Sequence, residues 1–303
     1  MTPEQILSIA PRVLSQAQRE SYFSEGYLLL ERAIDASWIE RLRGATDELV
    51  ERSRGVSKSD SVWDLEPDHR PDAPRLRRVS APVDQHPAFW EYVSQSVIGD
   101  IVADLVGPDV KFHHSKLNFK WARGGEEVKW HYDISFWPHT NYSPLTVGTY
   151  LYDCGMDQGP LGVIPKSHLR EPLYTQYDAE GRWVGCLSDA DAATLPPEQA
   201  LYLTGPAGSL TLHNCRTVHG SPRNVSDLGR PLLLYTLTSA DAFPYTANPI
   251  RSTKDQAIIR GRRALHAHHD PRPCLVPPDW SGGYTSIFSL QQKESEAAAR
   301  GAM

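Results

Sequence analysis

The chain is poor in the residues that staple small secreted folds or that gather around nucleic acid. Its 303 residues include only four cysteines, Cys154, Cys186, Cys215 and Cys274. None stands in a C-x-x-C pair, which excludes a zinc ribbon or a dense disulfide framework and leaves isolated thiols suited to a reducing compartment. Basic residues are not in excess: 31 Lys and Arg face 37 Asp and Glu, for a net charge of −6 and a pI near 6.1. That balance gives no electrostatic footprint for nucleic acid or an anionic membrane. No apolar run approaches the ~18 residues of a membrane span, and the first residues lack the basic-then-apolar order of a secretory signal. Repeats and low-complexity tracts are also missing. A cytoplasmic location is the expectation, with no nucleic-acid or membrane partner.

Histidine is plentiful, with twelve copies, and so are short apolar runs bounded by Gly, Pro and Asn. The first half reads as helical. A strand at Tyr27–Leu30 is followed by Ser37-x-x-Glu40, a capping-box pattern, and then by Trp38, Ile39, Leu42, Ala45, Leu49 and Val50 at amphipathic spacing. Residues 53–82 show no periodicity and read as a surface loop or part of a site rim; Arg75, Arg77 and Arg78 there could bind an anion, but a solvated basic face is the preferred reading. A helix from Pro87 breaks near Ser96, and another through Ile98, Ile101, Val102, Leu105 and Val106 stops at Gly107.

Strands dominate from Val110. Between Phe112 and Trp121, Leu117, Phe119 and Trp121 are apolar, whereas His114, Lys116, Asn118 and Lys120 are polar. If the upstream helices cover the apolar face, the polar face lines an interior cavity, and Lys and Asn there suit an anion. Further strands are expected at 126–133, 146–153, 161–164, 200–204, 209–213 and 231–239. Residues 166–197 form a long irregular connection of the kind that is either a functional lid or mobile. Many short strands with Gly/Pro/Asn turns indicate a mainly β chain with buttressing helices, a jelly roll. The chain from Lys293 onward reads as frayed or as a short helix.

The chemistry concentrates in Trp130-His131-Tyr132-Asp133. Residues two apart on an extended strand share a face, so His131 and Asp133 can offer an imidazole and a carboxylate to one metal. A third ligand from a distant strand would complete the 2-His-1-carboxylate face of non-haem Fe(II) oxygenases, with three open positions. His219-Gly220-Ser221 supplies that ligand in this reading. Arg230 follows eleven residues later at the mouth of a strand, placed to hold the far carboxylate of a 2-oxoglutarate co-substrate by paired hydrogen bonds. His213, with Arg223 ten residues beyond, is the rival. His219 is preferred because Arg230 opens a strand while Arg223 sits inside a turn, and because Gly220 and Ser221 are small enough to let backbone approach the co-substrate.

These motifs, with His-Ser-Lys-Leu-Asn-Phe-Lys (114–120) and Gly-Pro-Leu-Gly-Val-Ile-Pro-Lys-Ser-His (159–168), make the chain resemble the phytanoyl-CoA dioxygenase family of Fe(II)/2-oxoglutarate oxygenases, which includes the ectoine hydroxylases. The likeness runs from about Tyr22 to Ala242. It implies a double-stranded β-helix of cupin type, with 1–303 forming one domain: helices over about 1–107, a β core over about 108–242 and a C-terminal extension, 243–303. It implies Fe(II) ligands at His131, Asp133 and His219, which are also the catalytic residues. It places 2-oxoglutarate at Arg230 and Lys120 with Asn118 and Ser221 nearby, and dioxygen at the remaining position. Two departures stand out. Lys166 replaces the family's glycine in Pro-Gly-Ser-His, so the turn there is expected to differ. His114 stands where ectoine hydroxylases carry a substrate-contacting glutamine, which argues against ectoine. Asp133 disfavours halogenation, since related halogenating enzymes carry Gly or Ala at this position. Trp137 is read as a pocket wall, and His114, Trp137 and Lys116 as contacts to a small-molecule substrate of a monomer or homodimer. His168 is read as structural; His266, His268, His269 and Arg260 either cap the site mouth or lie on the surface. A metal-binding cupin acting as an isomerase or hydrolase, and a non-catalytic sensor, remain the alternatives to a hydroxylase.

Overall fold

The computed structural model describes residues 1–195, 197–280, 287, 288 and 291; the segment from Lys293 lies outside the described residues. The helices are α1 (Pro3–Leu7), α2 (Gln16–Glu25), α3 (Ala36–Arg52), α4 (Pro82–Gln85), α5 (Pro87–Gln95), α6 (Ile98–Val106) and α7 (Asp189–Ala192). The strands are β1 (Tyr27–Leu30), β2 (Trp63–Leu65), β3 (Leu76–Ser80), β4 (Val110–Lys120), β5 (Val128–His131), β6 (Leu145–Tyr150), β7 (Leu161–Val163), β8 (Leu201–Leu203), β9 (Leu210–Asn214), β10 (His219–Ser221), β11 (Arg230–Ser239) and β12 (Ile258–Arg260). They form two sheets. The larger runs β1-β9-β6-β11-β4-β3-β2, with β12 also on β4, and the smaller runs β5-β10-β7-β8. The architecture is the double-stranded β-helix of the jelly roll, mainly β with helices against the large sheet.

The alternation read in β4 is what organises the layers. Its odd side, with Leu117 and Phe119, joins Leu233, Tyr235 and Leu237 of β11 beneath Leu42 and Leu49 of α3, Phe89 and Tyr92 of α5, and Ile101 and Val102 of α6. Its even side looks into the space between the sheets. Strict alternation would also turn Phe112 and Val110 inward, but a bulge prevents it. His114 pairs with Thr236 and Phe112 with the next residue, Leu237, so His113 is the extra residue. One inserted residue flips the parity, and Phe112 and Val110 stay in the helix-covered core.

Several local expectations are corrected. The helix after β1 begins two residues earlier than its capping-box pattern suggested: Asp35, in extended backbone, takes the cap position without a side-chain cap bond. Residues 53–82 are not merely loop, because β2 and β3 extend the large sheet. Strands therefore enter it from both the helical N-terminal stretch and, through β12, the C-terminal extension. Arg77 and Arg78 are buried rather than solvated. Lys166 keeps the turn that a glycine would make, with φ at 63° in the left-handed region. The four cysteines are free thiols, and among the described residues no helix is long and apolar enough to cross a membrane.

Leu117 is fully buried between β4 and the helices, so Leu117→Ala is expected to cost about 2–5 kcal/mol of stability. Denaturant unfolding should show a lower midpoint with an unchanged slope.

Candidate metal centre

The small sheet brings two distant histidines together by one pairing. In the antiparallel match of β10 with β5, His219 lies opposite His131, and their ring centroids are 4.1 Å apart. Gly220 permits this closeness in a way the sequence did not suggest: a Cβ there would stand 2.8 Å from Val128 O and 3.3 Å from Trp130 N. The crowding is with the neighbouring strand, and Gly220 also lines the pocket. Asp133 lies just beyond the end of β5, where Tyr132 N donates to Gln176 Oε1 at 2.8 Å and Ile134 N to Cys215 O at 2.9 Å. His131, Asp133 and His219 are all buried, and each offers a ligand atom within 4.8 Å of the others'. An ion with bonds near ~2.1 Å gathers such a set with small movements.

The hydrogen bonds decide which atoms face the centre. His131 Nδ1 lies 2.8 Å from Lys129 O, and His219 Nδ1 lies 2.9 Å from Thr217 O. A carbonyl only accepts, so each Nδ1 carries the proton and each Nε2 keeps its lone pair for a metal. Asp133 Oδ2 accepts from Thr146 Oγ1 at 2.7 Å and from His213 Nε2 at 3.3 Å. This leaves Oδ1 turned to His219 Nε2, 3.8 Å away. His213, the rival ligand, is thus in the site as the residue that orients the carboxylate, with its Nε2 proton already engaged.

Electrostatics fit the same roles. Burial pushes the His131 imidazole down to about 4, partly offset by Asp133, and holds His219 well below its usual range with help from His131 and His213. For Asp133 burial acts upward, but His219, His213 and Lys116 outweigh it and keep the carboxyl well below its usual value. Neutral imidazoles beside an ionised carboxylate are the states metal binding needs.

The pocket next to these residues is lined by all seven residues assigned above to the co-substrate and the substrate. Arg230 is buried and its Nη2 donates to Gly159 O, while its Nε, also buried, has no partner among the described residues. A carboxylate is the group that would satisfy it. Lys120 is more constrained than expected: its Nζ donates to Glu126 O at 2.8 Å, Ser221 O at 3.2 Å and Pro222 O, so its three protons are engaged by backbone. Burial, then Arg230, pushes it down to about 6. Ser221 enters through that carbonyl, and Asn118 Oδ1 accepts from Arg78 Nε at 3.0 Å. His114 is pinned at both nitrogens, to Thr236 Oγ1 at 3.2 Å and His113 Nδ1 at 2.7 Å, and meets Trp137 edge to face with centroids 5.6 Å apart. It offers the pocket a ring face, beside the wall that Trp137 makes. Lys116 lines the same side.

Other residues had been missed. Thr146 orients Asp133, and Arg78, Ile250 and Phe288 line the pocket. Arg78, weighed from the sequence as an anion binder but set aside for a solvated face, is brought into the site by the pairing of β3 with β4 opposite Asn118, and no periodic signal marks the C-terminal pair. His168 is structural, its Nε2 3.0 Å from Phe23 O. Arg260 binds Asp100 and the carbonyls of Ser94 and Ser96, and His266, His268 and His269 are exposed. The surface reading holds for the three histidines, whereas Arg260 is half-buried and is not among the pocket-lining residues.

Comparison with known proteins agrees with this geometry. The profile described as Phytanoyl-CoA dioxygenase (PhyH) matches residues 22–232. A probable alpha-ketoglutarate-dependent hypophosphite dioxygenase of Stutzerimonas stutzeri is 29% identical over 282 residues, covering 92% of this chain and 98% of that protein. The ectoine dioxygenase of Sphingopyxis alaskensis is 24% identical, covering 75% and 77%. The crystal structure of EctD from S. alaskensis with 2-oxoglutarate and 5-hydroxyectoine superposes with a TM-score of 0.65 at 21% identity, covering 91% and 94% of the two chains. That of the non-heme alpha ketoglutarate dependent carbocyclase SnoK from nogalamycin biosynthesis gives 0.63 at 24%, covering 78% and 90%.

Because His213 and His219 take different parts, their variants should separate. His213→Gln is expected to weaken Fe(II) binding roughly 10–100-fold through a loosened carboxylate, whereas His219→Ala should abolish stoichiometric binding. Anaerobic Fe(II) titration distinguishes them, and the reverse ranking would make His213 the ligand.

Proposed function

The chain belongs to the phytanoyl-CoA dioxygenase family of Fe(II)- and 2-oxoglutarate-dependent oxygenases, and we propose that it hydroxylates an unactivated C–H bond of a small polar metabolite or natural-product intermediate, with conversion of 2-oxoglutarate to succinate and carbon dioxide. One observation carries the reading: two imidazole Nε2 atoms and one carboxylate converge on a pocket that also contains a buried arginine whose Nε has no partner among the described residues. The relatives named for hypophosphite and ectoine support a small polar substrate.

In this mechanism His131, Asp133 and His219 would hold Fe(II) on one face and leave the opposite positions to small molecules. Arg230 would take the far carboxylate of 2-oxoglutarate, with Lys120 fixing the Ser221–Pro222 turn beside it. Iron and 2-oxoglutarate, when bound, supply the oxidising chemistry with dioxygen. The chain's own task is aim and exclusion of water. His213 and Thr146 fix the carboxylate, Leu232 and Leu234 floor the pocket, and Phe136, Trp137 and His114 wall the place where a substrate would lie. Residues 1–303 act as one catalytic domain in this reading, because β1–β3 and β12 complete the sheet that bears the pocket.

Removing Arg230 should cost roughly 3–5 kcal/mol, a loss of about a hundredfold or more in 2-oxoglutarate affinity. An Arg230→Ala enzyme with unchanged 2-oxoglutarate KM would refute the assignment.

Metabolite panels should include a compound that stimulates succinate release in the presence of Fe(II) and oxygen. Turnover without oxygen would instead mark an isomerase or hydrolase, and ligand binding without succinate a sensor.

A further inference from the structure

The pocket carries more positive charge than the metal and co-substrate account for. Arg78 is only 2% exposed. Its one hydrogen bond runs from Nε to Asn118, and its guanidinium carbon lies 5.2 Å from the Phe288 ring centre. The terminal nitrogens of Arg78 and the ammonium of Lys116 have no hydrogen-bond or ion-pair partner among the described residues. Asp133 is the one carboxylate among the described lining residues, and it is already engaged by Thr146, His213 and His219. Suppose Fe(II) and dianionic 2-oxoglutarate are bound. Asp133 and one co-substrate carboxylate answer the metal, and the other carboxylate answers Arg230. Arg78 and Lys116 are left over, and sequestering unpaired cations from water is strongly unfavourable.

Their position separates them from the co-substrate end. Arg78 on β3 pairs with Asn118, and Ser80 with Lys116, so the two cations lie where β3 meets β4. Arg230 lies across β4 on β11, opposite Lys120. The leftover pair shares the pocket with His114 and Trp137, beneath Phe288 and Ile250. We infer that Arg78 and Lys116, with Asn118 steering the guanidinium, form an oxoanion subsite for the primary substrate, which is therefore a small carboxylate, phosphonate or related anion. This deepens the proposed function and rests on it.

The test uses the wild-type enzyme loaded anaerobically with Fe(II) and 2-oxoglutarate and titrated calorimetrically. The probes are butyrate and methylphosphonate, set against the uncharged butyramide and dimethyl methylphosphonate. At least one anion should bind about tenfold or more tightly than its neutral counterpart, and which anion does so distinguishes a carboxylate site from a phosphonate site. Arg78→Gln and Lys116→Met should each erase the preference, Arg78→Lys should retain it, and 2-oxoglutarate affinity should move less than about threefold in all three. Equal binding of charged and neutral probes, or no binding of any, overturns the subsite while leaving the oxygenase reading intact. Parallel loss of 2-oxoglutarate affinity in the variants also overturns it, since the cations would then serve the co-substrate. A wild-type enzyme that takes up no 2-oxoglutarate overturns the parent reading and this one with it.

Discussion

The site depends on two imidazoles held in fixed orientation across one short strand pairing. In each, Nδ1 donates to the carbonyl two residues back, at Lys129 and Thr217, so backbone geometry alone sets the tautomer and aims Nε2. The device is not peculiar to metal ligands. His139 Nδ1 makes the same bond to Trp137 O at 2.7 Å, yet its Nε2 points at no such centre. What distinguishes His131 and His219 is that β5 and β10 place them opposite one another with Asp133 just past the strand end. A local bond prepares each ligand, and long-range pairing makes the set.

The two sheets divide the work. The large sheet, stiffened by the helix-covered core, supplies the groups that need a rigid floor: Thr146 and His213 behind the carboxylate, and Arg230 at the start of β11. The small sheet supplies both imidazoles but is short, and β10 has only three residues. It is braced from outside. The connection after β7 returns Leu187 N to Trp130 O at 2.8 Å and Gln176 Oε1 to Tyr132 N, and Trp183 meets Phe136 edge to face at 5.3 Å. The segment read as a lid therefore also fixes the end of the strand that carries His131.

Legibility in the sequence followed the length of the pattern. β4 is eleven residues long, and its alternation announced both the core face and the pocket face. The helices at 87–95 and 98–106 were equally plain, being apolar at helical spacing and stopped by Ser96 and Gly107. β10 is too short for periodicity and was legible only through the chemistry of His219 and Arg230. β3 was missed for a different reason: Arg77 and Arg78 carry the composition of a solvent face, and it is Glu66 and Asp64 beside Arg77, and the pocket beside Arg78, that accompany their burial. The place of His213 was also beyond reach, since a histidine that ligates and one that steadies a ligand look alike until distances exist. At Lys166 the backbone takes the left-handed conformation that a glycine adopts freely and a lysine ordinarily avoids, which composition alone does not reveal.

The charge in the pocket connects these points into one constraint on the fold. Arg78 and Arg230 are among the most buried charged groups of the chain, and both stand in a cavity whose described lining holds a single carboxylate. No folding advantage arises from gathering such groups, since each loses hydration that the protein restores only in part. The helix-covered core must supply that stability, which is consistent with so many fully buried apolar residues lying behind β4 and β11 rather than in the small sheet. Species that bind the native state alone add their binding energy to its stability. Metal and anions should therefore stabilise the native state through the pocket, where the buried charges of Arg78 and Arg230 lie.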